Sequence, residues 1–104
     1  MEPISAAELL NRLNHSENLN LLDVREVIEY HTYHIGGKNI PLSVFSEKIE
    51  LLEYNKSDEV IVICKAGIRS ETACTILKQN GFEKARNLTG GLLAIQRLKQ
   101  LNAI

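Results

Sequence analysis

The chain has 104 residues, of which 44% are hydrophobic and 24% charged, with a net charge of −1. That length supports one hydrophobic core and not two, so residues 1–104 read as a single domain, and so small a net charge excludes any general attraction to nucleic acid or a membrane surface. No apolar run approaches the ~20 residues of a membrane helix, and Met1-Glu2-Pro3-Ile4-Ser5 lacks the basic and apolar regions of a secretory signal, which predicts a cytoplasmic protein.

Ser5-Ala6-Ala7-Glu8 is a capping box, and Leu9, Leu10 and Leu13 form the apolar stripe of a short helix behind it. After a polar connection from Asn14 to Asn20, Leu21-Leu22-Asp23-Val24 reads as a buried strand. Glu26 to His31 makes one or two helical turns, and Gly36-Gly37 breaks the chain. Lys38-Asn39-Ile40 is a short strand that Pro41 keeps from extending. Phe45, Ile49 and Leu52 recur at helical spacing, which predicts a helix from Ser43 to about Glu53. Asn55-Lys56-Ser57-Asp58 is a turn cluster leading into Glu59-Val60-Ile61-Val62-Ile63, a buried strand rich in β-branched residues. A helix beginning at Ser70 carries Ala73, Ile76 and Leu77 and stops at Asn80-Gly81. Ala85 to Leu88 is a last strand, Thr89-Gly90-Gly91 a loop, and Leu92 to Leu101 a closing helix.

Strands separated by helical patterns imply right-handed crossovers and a mainly parallel sheet, an α/β fold. In such a sheet Val24, Ile40, Ile63 and Leu88 finish at the same edge, where open α/β sheets bind ligands. Asp23, Arg25, the segment after Ile63 and Thr89-Gly90-Gly91 should therefore converge.

Cys64 stands at that edge and opens the turn Cys64-Lys65-Ala66-Gly67-Ile68-Arg69-Ser70. Lys65 to Ser70 contains no proline, so every backbone N–H is available to form an anion-binding nest. Lys65 and Arg69 add positive charge, the following helix aims the positive end of its dipole at the sulfur, and Gly67 permits a left-handed turn. These features lower a thiol's pKa from its free value near ~8.5 and make it reactive. Cys64 and Cys74 are too few for a disulfide scaffold, and no Cys/His spacing suggests a zinc site; the reading requires neither metal nor cofactor. Cys74, one turn inside the helix, reads as a small buried residue, with a resolving cysteine as the alternative.

The turn resembles the active-site loop of the rhodanese-like sulfurtransferases, in which a cysteine and an arginine bracket four residues. Other segments resemble that family's signatures in the same order: Leu21-Leu22-Asp23-Val24-Arg25-Glu26; Tyr30 with His34-Ile35 and Gly37; Asn39-Ile40-Pro41-Leu42; and Asn87-Leu88-Thr89-Gly90-Gly91-Leu92. The resemblance implies a five-stranded, mainly parallel sheet with helices on both faces and a short first strand near Pro3-Ile4. It also implies a catalytic Cys64 that takes a sulfane sulfur from thiosulfate or a low-molecular-weight persulfide, holds it as a persulfide, and passes it to a thiol, cyanide or a protein acceptor. Ile35-Gly36-Gly37-Lys38-Asn39-Ile40-Pro41-Leu42 is similar to rhodanese domains fused behind sulfur-carrier activating enzymes, which adds a sulfur-carrier protein as a candidate partner.

Within that reading, Lys65, Ala66, Gly67, Ile68, Arg69 and Ser70 form the substrate-binding loop, with backbone amides as their main contribution. Arg69 either holds an anionic donor or forms an ion pair that fixes the loop. Lys65 attracts an anionic donor or is a solvated surface lysine. Ser70 doubles as an N-cap. Asp23 and Arg25 support the loop by hydrogen bonding, and His34 is architectural rather than a base. Three residues depart from the family pattern: Tyr33 replaces a glycine, Gly36 a proline and Ile95 a tryptophan. They bear on packing and donor preference. The competing readings are a non-catalytic interaction module, which usually lacks the cysteine, and a phosphatase or arsenate reductase, whose loop holds one more residue between cysteine and arginine.

Overall fold

Four short parallel strands carry the computed structural model, which describes residues 2–102. They are β1 (Leu21–Asp23), β2 (Lys38–Asn39), β3 (Val60–Ile63) and β4 (Ala85–Asn87), in the spatial order β2-β1-β3-β4. The expected fifth strand shrinks to one residue: Ile4 bridges to Leu88, donating its N–H to Asn87 and accepting from Thr89. Pro3 has no N–H to pair and Ser5 already caps a helix, so only Ile4 is free to extend the ladder.

Helices α1 (Ala6–Asn14), α2 (Val27–Thr32), α3 (Phe45–Lys48), α4 (Ile68–Gln79) and α5 (Gly91–Asn102) connect and flank the strands. Ser5 caps α1 as its sequence predicts, accepting from the Glu8 N–H at 3.1 Å. The helix expected from Ser43 is instead one turn of α-helix between 3₁₀ turns at Leu42–Val44 and Ile49–Leu51. Ser43, Val44 and Ile49 are weak helix formers, while the apolar spacing survives, since Phe45, Ile49 and Leu52 are all buried.

Alternation along β3 sorts the apolar residues onto the two faces of the sheet. Val60 and Val62 pack with Leu22, Phe45, Ala73 and Leu77, on the side of α3 and α4. Ile61 and Ile63 pack with Leu9, Leu21, Leu92 and Ile95, on the side of α1 and α5. All four β3 residues are fully buried, each contributing roughly 1.5–3 kcal/mol of apolar burial, which makes β3 the axis of the fold. Because Cys64 follows Ile63 directly, the alternation turns it toward the α3–α4 core, and its backbone leaves the sheet at the carboxyl edge.

Opposite that edge, Arg12 and Arg86 grip Glu59 at the start of β3, and Arg86 also bonds the carbonyls of Glu2 and Pro3. This network fastens the N-terminal segment beside β4. Among the described residues, no helix is long and apolar enough to cross a membrane.

Candidate active site

The turn after β3 enters α4 two residues earlier than expected, at Ile68 instead of Ser70, with Gly67 as N-cap at φ 95°. That left-handed glycine swings the chain straight into the helix and leaves Ser70 in its first turn, among the N–H groups that have no partner within the helix. They find the sulfur. Cys64 Sγ accepts from the Gly67 N–H at 3.0 Å and the Ser70 N–H at 3.3 Å, and lies 3.2 Å from Ser70 Oγ. Cys64 is 1% exposed. Burial pushes its thiol up, but the Ser70 hydroxyl and the N–H groups of Ser70, Gly67 and Ala66 outweigh it, so the thiol settles below its ordinary value.

The start of α5 explains why the amides point inward. Its Leu92 and Leu93 N–H groups donate to the carbonyls of Cys64 and Lys65 at 2.9 and 3.0 Å, pulling the loop's oxygens away from the sulfur. This needs a backbone approach that a side chain would block, since a Cβ on Gly91 would sit 2.4 Å from the Lys65 carbonyl oxygen. One on Gly67 would sit 3.1 Å from the Gly90 nitrogen. Thr89-Gly90-Gly91 thus packs backbone against backbone beneath the loop.

Of the two roles weighed for Arg69, the geometry displays the ion pair. Its guanidinium donates to both oxygens of Glu29 on α2, at 2.7 and 3.0 Å. Those bonds, opposed by partial burial, draw the Glu29 carboxyl down to about 2. Lys65, Ala66 and Ile68 lie exposed on the outer side of the turn.

Asp23 and Arg25 arrive at the same edge but close on each other. Arg25 Nη2 donates to Asp23 Oδ2 at 2.7 Å and to the Tyr33 carbonyl at 2.7 Å, with both side chains under 10% exposed. Asn39 Nδ2 ties the carbonyls of both residues to β2. His34 accepts the Gly36 N–H on Nδ1 and stacks on Tyr30 at 4.0 Å, occupied by its own turn instead of the sulfur. Gly36 stands at φ 110°, a conformation the proline of the family pattern cannot adopt, so this turn follows its own path. Ile95 is fully buried and fills the α5 side of the core where the pattern has tryptophan. Beside the loop, Arg25, Ile28, Glu29, Tyr33, Lys65 and Leu93 help line a groove of about 330 Å³.

Sequence reasoning missed two participants. Glu29 reaches Arg69 across 40 positions of chain, and no local pattern announces it. Asn87, the last residue of β4, accepts from Ser70 Oγ on Oδ1 and donates from Nδ2 to the Gly67 carbonyl at 3.0 Å. Its place at the carboxyl edge of a parallel strand was the available signal. Cys74 lies in α4, buried and lifted to about 11 by that burial. Among the described residues no cluster of His, Cys, Asp and Glu could hold a metal ion.

A cysteine cradled by the amides of a strand-to-helix turn, on a parallel sheet covered on both faces, defines an α/β protein built around a buried sulfur held by backbone donors. The rhodanese-like domain pattern matches residues 5–98, and the chain belongs to that family. Among curated relatives, a Bacillus subtilis protein provisionally named the sulfur carrier YrkF is 39% identical over 90 residues, 86% of this chain and 48% of that protein. A Mycobacterium tuberculosis protein given as a probable adenylyltransferase/sulfurtransferase, MoeZ, is 34% identical over 88% of this chain and 24% of its own length. The chain thus spans about half or less of the curated relatives it matches. Among solved structures, a rhodanese-like domain protein of Staphylococcus aureus superposes with a TM-score of 0.80 at 30% identity, covering 91% of both chains. The human single-domain sulfurtransferase TSTD1 follows at 0.75 and 25% identity, over 86% of this chain and 89% of that one. Family and relatives together support a role in sulfur transfer.

Proposed function

We propose that the protein is a sulfurtransferase in which Cys64 alternates between thiolate and persulfide, its residues 1–104 acting as one rhodanese-like domain in the cytoplasm. The observation that carries this is the set of polar groups around Cys64 Sγ: two N–H donors and, at 3.2 Å, the Ser70 hydroxyl, all around one buried sulfur. Such a cradle stabilises an anion without a general base, which suits a nucleophile that is anionic at the start and end of each turnover.

With thiosulfate as donor, the Cys64 thiolate attacks the outer sulfur, an S–S bond forms to the enzyme, and sulfite leaves with the electron pair of the broken bond. The product is a Cys64 persulfide whose terminal sulfur bears the charge. A cyanide or thiolate acceptor then attacks that terminal sulfur, leaves as thiocyanate or a new persulfide, and returns the Cys64 thiolate. Lys65 on the exposed side of the loop supplies positive charge toward an anionic donor. A low-molecular-weight persulfide is the other donor. The sulfur-carrier and adenylyltransferase/sulfurtransferase names of two relatives support a sulfur-carrier protein as acceptor, with the groove beside Lys65 as its approach.

Intact-mass measurement tests this. After incubation with thiosulfate or a small persulfide, the protein gains one sulfur that cyanide removes, and Cys64→Ser gains none. A folded protein whose Cys64 titrates yet takes sulfur from neither donor would overturn the proposal.

A further inference from the structure

We propose that Asn87 is a positioning residue for Cys64: through the single proton of the Ser70 hydroxyl, it biases the sulfur toward the protonated form. The inference rests on the reading of Cys64 as an active thiolate, but its test reads the sulfur's proton and not sulfur transfer. The two can therefore fail separately.

Ser70 is fully buried, and its hydroxyl has one proton and two lone pairs to share between two neighbours. One neighbour is Cys64 Sγ at 3.2 Å; the other is Asn87 Oδ1. The orientation of the Asn87 amide is determined by its second bond, because the Gly67 carbonyl 3.0 Å from Nδ2 can only accept. Oδ1 therefore faces Ser70 as an obligatory acceptor. With the Ser70 proton on Asn87, Ser70 Oγ meets the sulfur with a lone pair, which suits an S–H donor and not a thiolate. When the thiol proton departs to solvent, the Ser70 proton must turn onto the sulfur, and Asn87 Oδ1 loses its donor.

Two arrangements thus alternate. In the thiol state the bonds run from sulfur to Ser70 to Asn87; in the thiolate state Ser70 joins the two N–H groups on the sulfur. A persulfide moves the charge to the outer sulfur, so Sγ becomes neutral and the Ser70 proton returns to Asn87. Asn87 therefore opposes the amides on the free cysteine while leaving the loaded state undisturbed.

Other charged and titratable groups border the site: Lys65 in the loop, Arg69 and Cys74 on α4, Glu29 on α2, and the Asp23–Arg25 pair at the end of β1. Cys74 is replaced in every variant below and the other groups are common to all of them, so their effects cancel in a double-mutant cycle.

The experiment follows the thiolate absorbance of Cys64 against pH in a Cys74→Ser background, for Asn87→Ala, Ser70→Ala and the double variant. The expected results are a midpoint lowered by about one pH unit in Asn87→Ala, raised by about one in Ser70→Ala, and the same in the double variant as in Ser70→Ala alone. An Asn87→Ala midpoint that is unchanged or raised, or an Asn87 effect that persists without the Ser70 hydroxyl, would overturn the inference. If Asn87→Ala does not fold, Asn87→Leu keeps the volume without the polar atoms. The infrared S–H stretch of the Cys74→Ser protein gives a readout with Asn87 intact. It should be that of a hydrogen-bonded thiol and shift to the unbonded value in Ser70→Ala; an unbonded S–H before that substitution contradicts the proposed thiol state.

Discussion

Cys64 and Cys74 are both buried, at 1% and 6% exposure, yet their thiols are driven in opposite directions. Cys74 meets the ordinary fate of a thiol in an apolar setting: burial lifts it to about 11, the nearby charges of Lys78 and Glu71 act in opposite senses, and it stays protonated at neutral pH. Cys64 is at least as deeply buried and moves below its ordinary value, because Ser70, Gly67 and Ala66 aim donors at it. Burial alone keeps a thiol protonated, whereas oriented dipoles around a buried sulfur favour its thiolate. The difference lies in position. Cys64 meets the unpaired N–H groups at the start of α4, whereas Cys74 lies inside the same helix, where those groups bond to one another.

Gly91→Ala breaks the contrast most severely. Its Cβ collides with the Cys64 and Lys65 carbonyls and its φ of 61° disfavours a side chain, so the loop must turn and its amides leave the sulfur. We expect a loss of roughly 2–4 kcal/mol of stability, read by denaturant unfolding, and a Cys64 that titrates upward toward the behaviour of Cys74. Cys74→Ser sharpens the contrast from the other side. It should leave sulfur loading within about twofold of the parent chain while removing the second thiol, since Cys74 donates nothing to the loop. A large drop in loading would restore the resolving role considered for it.

Glu29→Gln gives the smallest effect and separates formal charge from oriented dipoles. The folded Glu29 carboxyl is drawn to about 2 from 4.5, so the Arg69 pair contributes stability that is complete above 4.5 and is lost as pH falls toward 2. Both side chains are about one-third exposed, which limits the contribution to roughly 0.5 kcal/mol, or a melting-temperature difference of a few degrees. That difference between parent and variant should close between pH 4.5 and 2 in thermal melts. At neutral pH, releasing Arg69 should lower the Cys64 midpoint only slightly, whereas a drop as large as the Ser70 effect would assign the sulfur's reactivity to charge and not to amides.

The parts of this site that follow from neighbours in sequence were legible before any coordinates. The β-branched run ending at Cys64, the proline-free turn with Gly67, and the strand ends sharing one edge all depend on local pattern and sheet handedness. α4 begins two residues before Ser70, whose side chain suggests a cap, because Gly67 takes that position and Ser70 turns inward. Glu29 on Arg69 is not legible in the sequence, and for Asn87 only its place at the sheet edge is, because each pairing joins groups that only the finished packing brings together. The fifth strand was overestimated for a related reason, because Pro3 and Ser5 leave Ile4 alone to pair.

The most direct test of the central claim is a pulse of limiting iodoacetamide across a pH series, with the modified cysteine located by peptide mass. Alkylation of Cys64 should rise with a midpoint below that of an unfolded thiol while Cys74 stays unmodified until the protein unfolds. A Cys64 that reacts no earlier than an unfolded thiol, or a Cys74 that reacts first, would contradict the account.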